Sequence, residues 1–245
     1  MSDYLYGRRA VLEALRAGRA IEKILIARGA ETRGALGELI TAARNAGIAV
    51  RDVPRQELDR VAHAHQGVVA LVAAYRYAEL QELLAVAPTR GEPAFLLLLD
   101  SVQDPQNFGT LLRTAEAVGV HGVMIAERRA VGVTPAVVKA SAGAVEHLKI
   151  ARVTNLARTI EELKRANVWV VGIENEPSAQ DFSRADFSGA LALVLGSEGA
   201  GLGRLVRAKC DFLVRLPMWG KVESLNVAVA GSMVLYEARR QRTHF

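Results

Sequence analysis

Short, wholly apolar runs recur along this chain, and they limit its fold more than any other feature. Residues 94–99 (AFLLLL), 122–126 (GVMIA), 168–173 (VWVVGI) and 191–195 (LALVL) show no alternation of polar and apolar side chains. A strand without alternation is covered on both faces, as in the interior of a parallel sheet. Helical periodicity follows the first run, where TLLRTAEAVG puts Leu111, Leu112, Ala115 and Val118 on one side. Residues 134–143 read as a helix with Pro135 in its first turn, 146–151 as a short strand and 156–166 as a helix. At least five strands alternating with helices predict an α/β fold with a mostly parallel sheet. In such sheets ligands bind in the loops beyond the C-terminal ends of the strands.

Upstream the pattern is smaller in scale. Residues 5–15 read as a helix stopped by Gly18, 23–27 (KILIA) as a strand, 34–46 as a helix and 49–53 as a strand. A short helix after Pro54 and a strand at 68–73 complete a small α/β domain. Periodicity then fades and Pro88, Gly91 and Pro93 follow. The expected organisation is therefore a small N-terminal α/β domain over 1–74, a linker over 75–93 and a larger α/β domain over 94–245.

Composition narrows the function classes. With 51% apolar and 23% charged residues the 245-residue chain is expected to fold as a soluble protein. Its apolar runs are too short to span a bilayer and its first residues do not resemble a secretory signal, which predicts a cytoplasmic protein with no membrane partner. One cysteine and five histidines argue against a disulfide framework or a structural zinc site. A net charge of +5 is a mild bias toward anionic partners such as RNA.

Candidate residues cluster in the loops. DSVQDPQNFG leads from the first apolar run into a helix, with Asn107 just before that helix and Arg113 in its second turn. Asn107 is then either a helix cap or a catalytic amide, and Arg113 either a solvated helix residue or a phosphate contact. Gly196, Gly199, Gly201 and Gly203 surround Glu198 and let the backbone approach a ligand closely. Leu216, Pro217 and Met218 suit a flat adenine ring, and Ser224 and Asn226 open a helix of small residues. For substrate contact the candidates are Arg8, Arg9, His65, Gln66, Lys139 and Ser141, with surface solvation, turn filling and a helix-end feature as the plainer readings.

DPQNFGTLLRTAEA, LVLGSEGAGL and LPMWGKVESLNVAVAGSMVLYEA resemble, in order, the three motifs of the SpoU (TrmH) family of S-adenosylmethionine-dependent RNA ribose 2′-O-methyltransferases, in the SPOUT class. GRRAVLEAL, KILIA, VPRQELD and HQGVVA resemble that family's substrate-binding module, as found in enzymes that methylate a guanosine of 23S ribosomal RNA. The resemblance implies S-adenosylmethionine as cofactor, RNA as substrate, a deep trefoil knot in the C-terminal domain, a homodimer and no metal. It makes Asn107 and Arg113 a catalytic pair that also meets substrate through Arg113, Glu198 a supporting acid, and Ser224 and Asn226 the residues that close the site. Gly196, Leu216, Met218, Ser224 and Leu225 would form the cofactor pocket. Thr110 and Ala228 stand where the family commonly has Ala and Ser. Two roles stay open for Arg113, general base or phosphate clamp. The rival readings are a transfer RNA methyltransferase and an RNA-binding or assembly protein without catalysis.

Overall fold

The structure, a computed structural model, describes residues 2–242. It divides into two compact units, one reaching Arg76 and taking in Val133–His147, the other made of Tyr77–Gly132 and the chain from Leu148 onward.

The first unit opens with strand β1 (Ser2–Tyr6), helix α1 (Arg8–Arg16), strand β2 (Ile21–Ala27), helix α2 (Ala35–Asn45), strand β3 (Ala49–Val53), helix α3 (Arg55–Asp59) and strand β4 (Val68–Ala73). Its four strands lie in the order β1-β4-β2-β3, with β4 antiparallel to both neighbours and β2 parallel to β3. The helix expected over 5–15 is thus divided. Leu5 sits in β1 opposite Ala70, because β4 supplies a ladder that nothing in the local sequence reveals. Gly7, at φ 97°, makes the turn, and α1 starts at Arg8.

The second unit begins with helices α4 (Leu80–Leu84) and α5 (Val86–Arg90), then strand β5 (Phe95–Leu99), helix α6 (Pro105–Ala117) and strand β6 (Gly122–Ala126). Helix α7 (Pro135–Ala140) belongs to the first unit. Strand β7 (Ile150–Val153), helix α8 (Leu156–Arg165), strands β8 (Trp169–Ile173), β9 (Gln180–Asp181) and β10 (Leu191–Leu195), helix α9 (Arg204–Lys209), strand β11 (Phe212–Arg215) and helix α10 (Val227–Arg242) follow. The sheet has seven strands, all parallel, in the order β7-β6-β5-β10-β8-β11-β9. Strands β5 and β10 are buried along their whole length, as continuous apolar runs require. On one face Leu156, Ile160 and Leu163 of α8 pack on Leu96, Leu98, Val170 and Val194. On the other, α10 lies so close to the sheet that a methyl group on Gly231 would come within 2.4 Å of Leu195 and 2.6 Å of Leu111. The small residues of α10 therefore serve core packing. Arg242 fastens its far end, donating to the carbonyls of Phe187 and Ala94 at 3.1 and 2.9 Å and stacking on Phe95.

Two stretches differ from the sequence expectation. The presumed linker over 75–93 carries α4 and α5, and Leu83 is buried in the core of the second unit. The strand expected over 146–151 starts only at Ile150, preceded by a 3-10 turn at Ala144–His147. That turn is held within the first unit by Arg19, whose guanidinium meets Glu146 at 2.6 Å with both side chains less than 10% exposed. Burial pushes the Glu146 carboxyl up in pKa, against the pull of Arg19. His147 adds a second tie to Glu13 at 3.0 Å.

Candidate active site

The C-terminal ends of β5, β8, β10 and β11 carry the polar loops of the second unit. After β5, Asp104 caps α6 by accepting the backbone N–H of Asn107 at 2.8 Å, with Pro105 in the first turn. Asn107 is consequently the third residue of α6 and lies inside the helix, and Arg113 is its ninth. Helical spacing buries Leu111, Leu112 and Ala115 and leaves Arg113 exposed. Arg113 makes no hydrogen bond or ion pair with any other described residue.

After β10 the chain folds back on itself. Ser197 and Gly201 exchange backbone hydrogen bonds at 3.0 and 3.1 Å, closing a tight loop around Glu198. The glycines have distinct reasons here. A Cβ on Gly196 would lie 2.1 Å from the carbonyl carbon of Gly201, and Gly201 itself sits at φ 62° against the Glu174 carboxylate. Glu174, directly after β8, accepts the N–H of Leu202 at 2.8 Å, and Asp100, directly after β5, accepts that of Gly203 at 2.8 Å. Two acids, from the strands on either side of β10, thus pin the far side of the loop.

After β11, Leu216 turns inward and a largely exposed segment leads to Asn226. Asn226 caps α10, its Oδ1 accepting from the N–H groups of Ala228 and Val229 at 2.9 and 3.2 Å. Its amide nitrogen donates to Asn107 Oδ1 at 2.9 Å and to Glu198 Oε1 at 2.6 Å. One side chain therefore ties together all three loops. Beside it opens a cavity of about 540 Å³, with Gly196, Glu198, Leu216, Met218, Ser224 and Leu225 among its walls. That volume is within the range of small-molecule sites.

The structure thus gathers Asn107, Glu198, Asn226, Ser224, Gly196, Leu216, Met218 and Leu225 at one end of one sheet. Arg113 is on the same unit but does not line the cavity. All the other substrate candidates lie in the first unit, Lys139 and Ser141 included. Two of them are corrected. His65 is fully buried, with Nδ1 accepting from Gly67 N at 2.8 Å and Nε2 meeting Asp59 at 2.9 Å, so its ring shapes the turn and has no face left for RNA. Ser141 is fully buried as well, its hydroxyl donating to Val138 O at 3.0 Å as a helix-end feature. Gln66, at φ 53°, is exposed and bonded to Arg8, whose Nε donates to the Gln66 carbonyl at 3.1 Å. Arg9 is exposed, and Lys139 lies over the ring of Tyr6 at 5.7 Å.

Sequence reasoning missed Glu174, Asn175 and Asp100. Asn175 donates to the carbonyl of Glu223 and so anchors the segment before α10, and with Glu174 it lines the cavity. Each of the three comes within two residues of the end of an apolar strand, which is the signal that would have found them. No group of three or more metal-ligating side chains occurs among the described residues, and none of their helices is long and apolar enough to cross a membrane.

Residues 94–236 match the SpoU rRNA Methylase family, and residues 4–78 match the RNA 2′-O ribose methyltransferase substrate binding family. A protein of Bacillus subtilis (strain 168), YacO, assigned to the TrmH family of tRNA/rRNA methyltransferases, is 50% identical over 98% of this chain and 96% of its own. The SpoU methyltransferase AviRb of Streptomyces viridochromogenes, solved with AdoMet, superposes with a TM-score of 0.81 at 30% identity over 98% of this chain and 90% of that one. An AdoMet-bound rRNA methyltransferase of Sinorhizobium meliloti gives 0.79 at 27% identity over 99% and 88%. Matched over both of its units, and half identical to a full-length relative, this chain belongs to the SpoU (TrmH) family of RNA ribose 2′-O-methyltransferases.

Proposed function

We propose that this enzyme transfers a methyl group from S-adenosylmethionine to the 2′-hydroxyl of a guanosine in 23S ribosomal RNA, with Arg113, Asn107, Glu198, Ser224 and Asn226 as its working residues. The observation that carries the site is the pair of hydrogen bonds from Asn226 to Asn107 and Glu198 beside a cavity of about 540 Å³. The residues present fit the cofactor. Glycines at 196 and 201, where a Cβ would strike backbone or carboxylate, let the loop close tightly on itself along the cavity wall, and Leu216 and Met218 offer apolar walls for an adenine ring. Bound there, S-adenosylmethionine supplies an already activated methyl, so no Lewis acid is needed and the sulfur leaves as a neutral thioether.

This chain's residues then orient the ribose and accommodate its proton loss. Asn226 fixes Oε1 of Glu198, which leaves Oε2 to accept a ribose hydroxyl. Ser224, exposed on the cavity wall, closes over the reacting atoms. Arginine keeps its proton at neutral pH, so Arg113 works as a clamp on the substrate phosphate and steadies the developing oxyanion. Its lack of any partner among the described residues suits that role. Arg8, Arg9, Gln66 and Lys139 supply RNA contacts from the first unit.

The enzyme works as a homodimer in which Arg113 serves the partner's cofactor site. Support comes from Val229, Met233 and Tyr236, which are 45–59% exposed at helical spacing along α10 and make an apolar stripe without cover. The C-terminal domain is knotted. In its favour, β10 enters between β5 and β8 and β11 between β8 and β9, so the last strands are interior ones. Sedimentation tests the dimer, since a monomer at working concentration contradicts it. Methylation of unmodified 23S transcript, with transfer RNA in parallel, tests the substrate: product in transfer RNA alone would overturn the ribosomal assignment.

A further inference from the structure

One fully exposed stretch of chain adjoins the cavity. Met218 and Glu223 line the cavity, while the four residues between them, 219–222, do not line it and are exposed to solvent. The second of the chain's two tryptophans, Trp219, stands in this stretch with 90% of its surface exposed. Val222 is 65% exposed beside it, and Lys221 is exposed with no partner among the described residues. The stretch is anchored at its end by the bond from Asn175 to the Glu223 carbonyl. An indole is among the largest apolar surfaces a residue can bury, so a held loop that turns one to solvent implies a ligand that covers it.

Resting on the RNA methyltransferase reading above, we infer that Trp219 binds substrate by stacking its indole on an unpaired base next to the ribose being methylated, while Lys221 meets the adjoining phosphate. A ribose that must reach a methyl group inside the cavity brings its nucleotide to the mouth, and sequence-tolerant recognition of unstacked RNA bases uses aromatic side chains with a cation nearby. A protein surface is the rival cover for the same indole. The lysine beside Trp219 and its place next to the cavity favour RNA, and the apolar stripe on α10 already provides a separate face for a second copy.

Two measurements on the full-length enzyme decide this. In a Trp169→Phe background Trp219 is the sole indole, and its fluorescence is followed with S-adenosylhomocysteine present while a single-stranded RNA of mixed sequence is added. The inference predicts saturable quenching by RNA. No response to RNA, or a change that follows protein concentration without RNA, overturns it, the latter by showing that protein covers Trp219. In the methylation assay Trp219→Ala raises the KM for RNA about fivefold or more with unchanged affinity for S-adenosylmethionine, and Trp219→Phe restores most of it. An unchanged KM in Trp219→Ala overturns the inference. Should the unsubstituted enzyme methylate no RNA at all, the broader function fails, and the quenching experiment still decides whether Trp219 contacts RNA.

Discussion

Asn226 and Asn107 are joined side chain to side chain at 2.9 Å across 119 residues of sequence, and the same Asn226 amide holds Glu198. Because Asn226 Oδ1 also caps α10, removing the side chain has two separable effects. Asn226→Ala loses the cap, about 1 kcal/mol of stability, and at least tenfold of kcat by freeing both Asn107 and Glu198. Asn226→Asp keeps the cap acceptor but sets a carboxylate against Glu198. It therefore melts closer to the unsubstituted enzyme than Asn226→Ala does and is equally inactive, as thermal melts and methyl incorporation will show.

Arg113 is exposed and has no partner among the described residues, so Arg113→Ala changes stability by no more than about 0.5 kcal/mol while abolishing activity. If it serves the partner's site, mixing unfolded Arg113→Ala and Asn226→Ala chains and refolding them together returns about a quarter of the activity, the share random pairing gives in a two-fold dimer. No recovery would place Arg113 in its own chain's site. Arg113→Lys separates the chemical roles. Weakened RNA binding supports the clamp, whereas retained affinity with activity rising toward high pH supports proton transfer.

Gly196→Ala forces a methyl group to within 2.1 Å of backbone that cannot move aside cheaply. We expect affinity for S-adenosylmethionine to fall below detection in equilibrium dialysis. Gly231→Ala meets the ends of two leucines and costs about 1–3 kcal/mol of stability, with cofactor binding retained.

His121 gives the second unit a pH dependence. It is buried, accepts from Phe95 N through Nδ1 at 3.1 Å and meets Glu92 through Nε2 at 3.3 Å. Burial holds the imidazole below its ordinary pKa, with Glu92 pulling the other way. A depressed folded value means that the unfolded chain binds the proton more readily. The stabilisation is present above the ordinary imidazole pKa of about 6.5 and is lost as pH falls through the folded value. The melting temperature should drop between about pH 7 and pH 5, and His121→Ala should be less stable at neutral pH but flatter across that window.

Much of this was legible in the sequence where the cause is local. Unalternating apolar runs gave β5, β6, β8 and β10, and the acid, amide and glycine positions of the three loops fell together in space as their spacing implied. What escaped depends on partners distant in sequence. Leu5 has a helical neighbour pattern but belongs to β1 because Ala70 lies opposite, and residues 133–147 follow a strand of the second unit yet are tied to the first by Arg19 and Glu13. His65 looks like a polar turn residue, and only the fold shows that Gly67 and Asp59 use both of its nitrogens. The opening of α6 differs from the sequence expectation for a simpler reason. Asp104, three residues earlier, outcompetes Asn107 as the cap.

The most direct test is methyl transfer itself. Purified enzyme is incubated with methyl-tritiated S-adenosylmethionine and unmodified ribosomal and transfer RNA, and the labelled RNA is digested to nucleosides. The proposed function predicts label in a 2′-O-methylated nucleoside, from one position of 23S ribosomal RNA, that disappears in Asn226→Ala. Label in a methylated base, or no labelled ribose in any RNA, would contradict it.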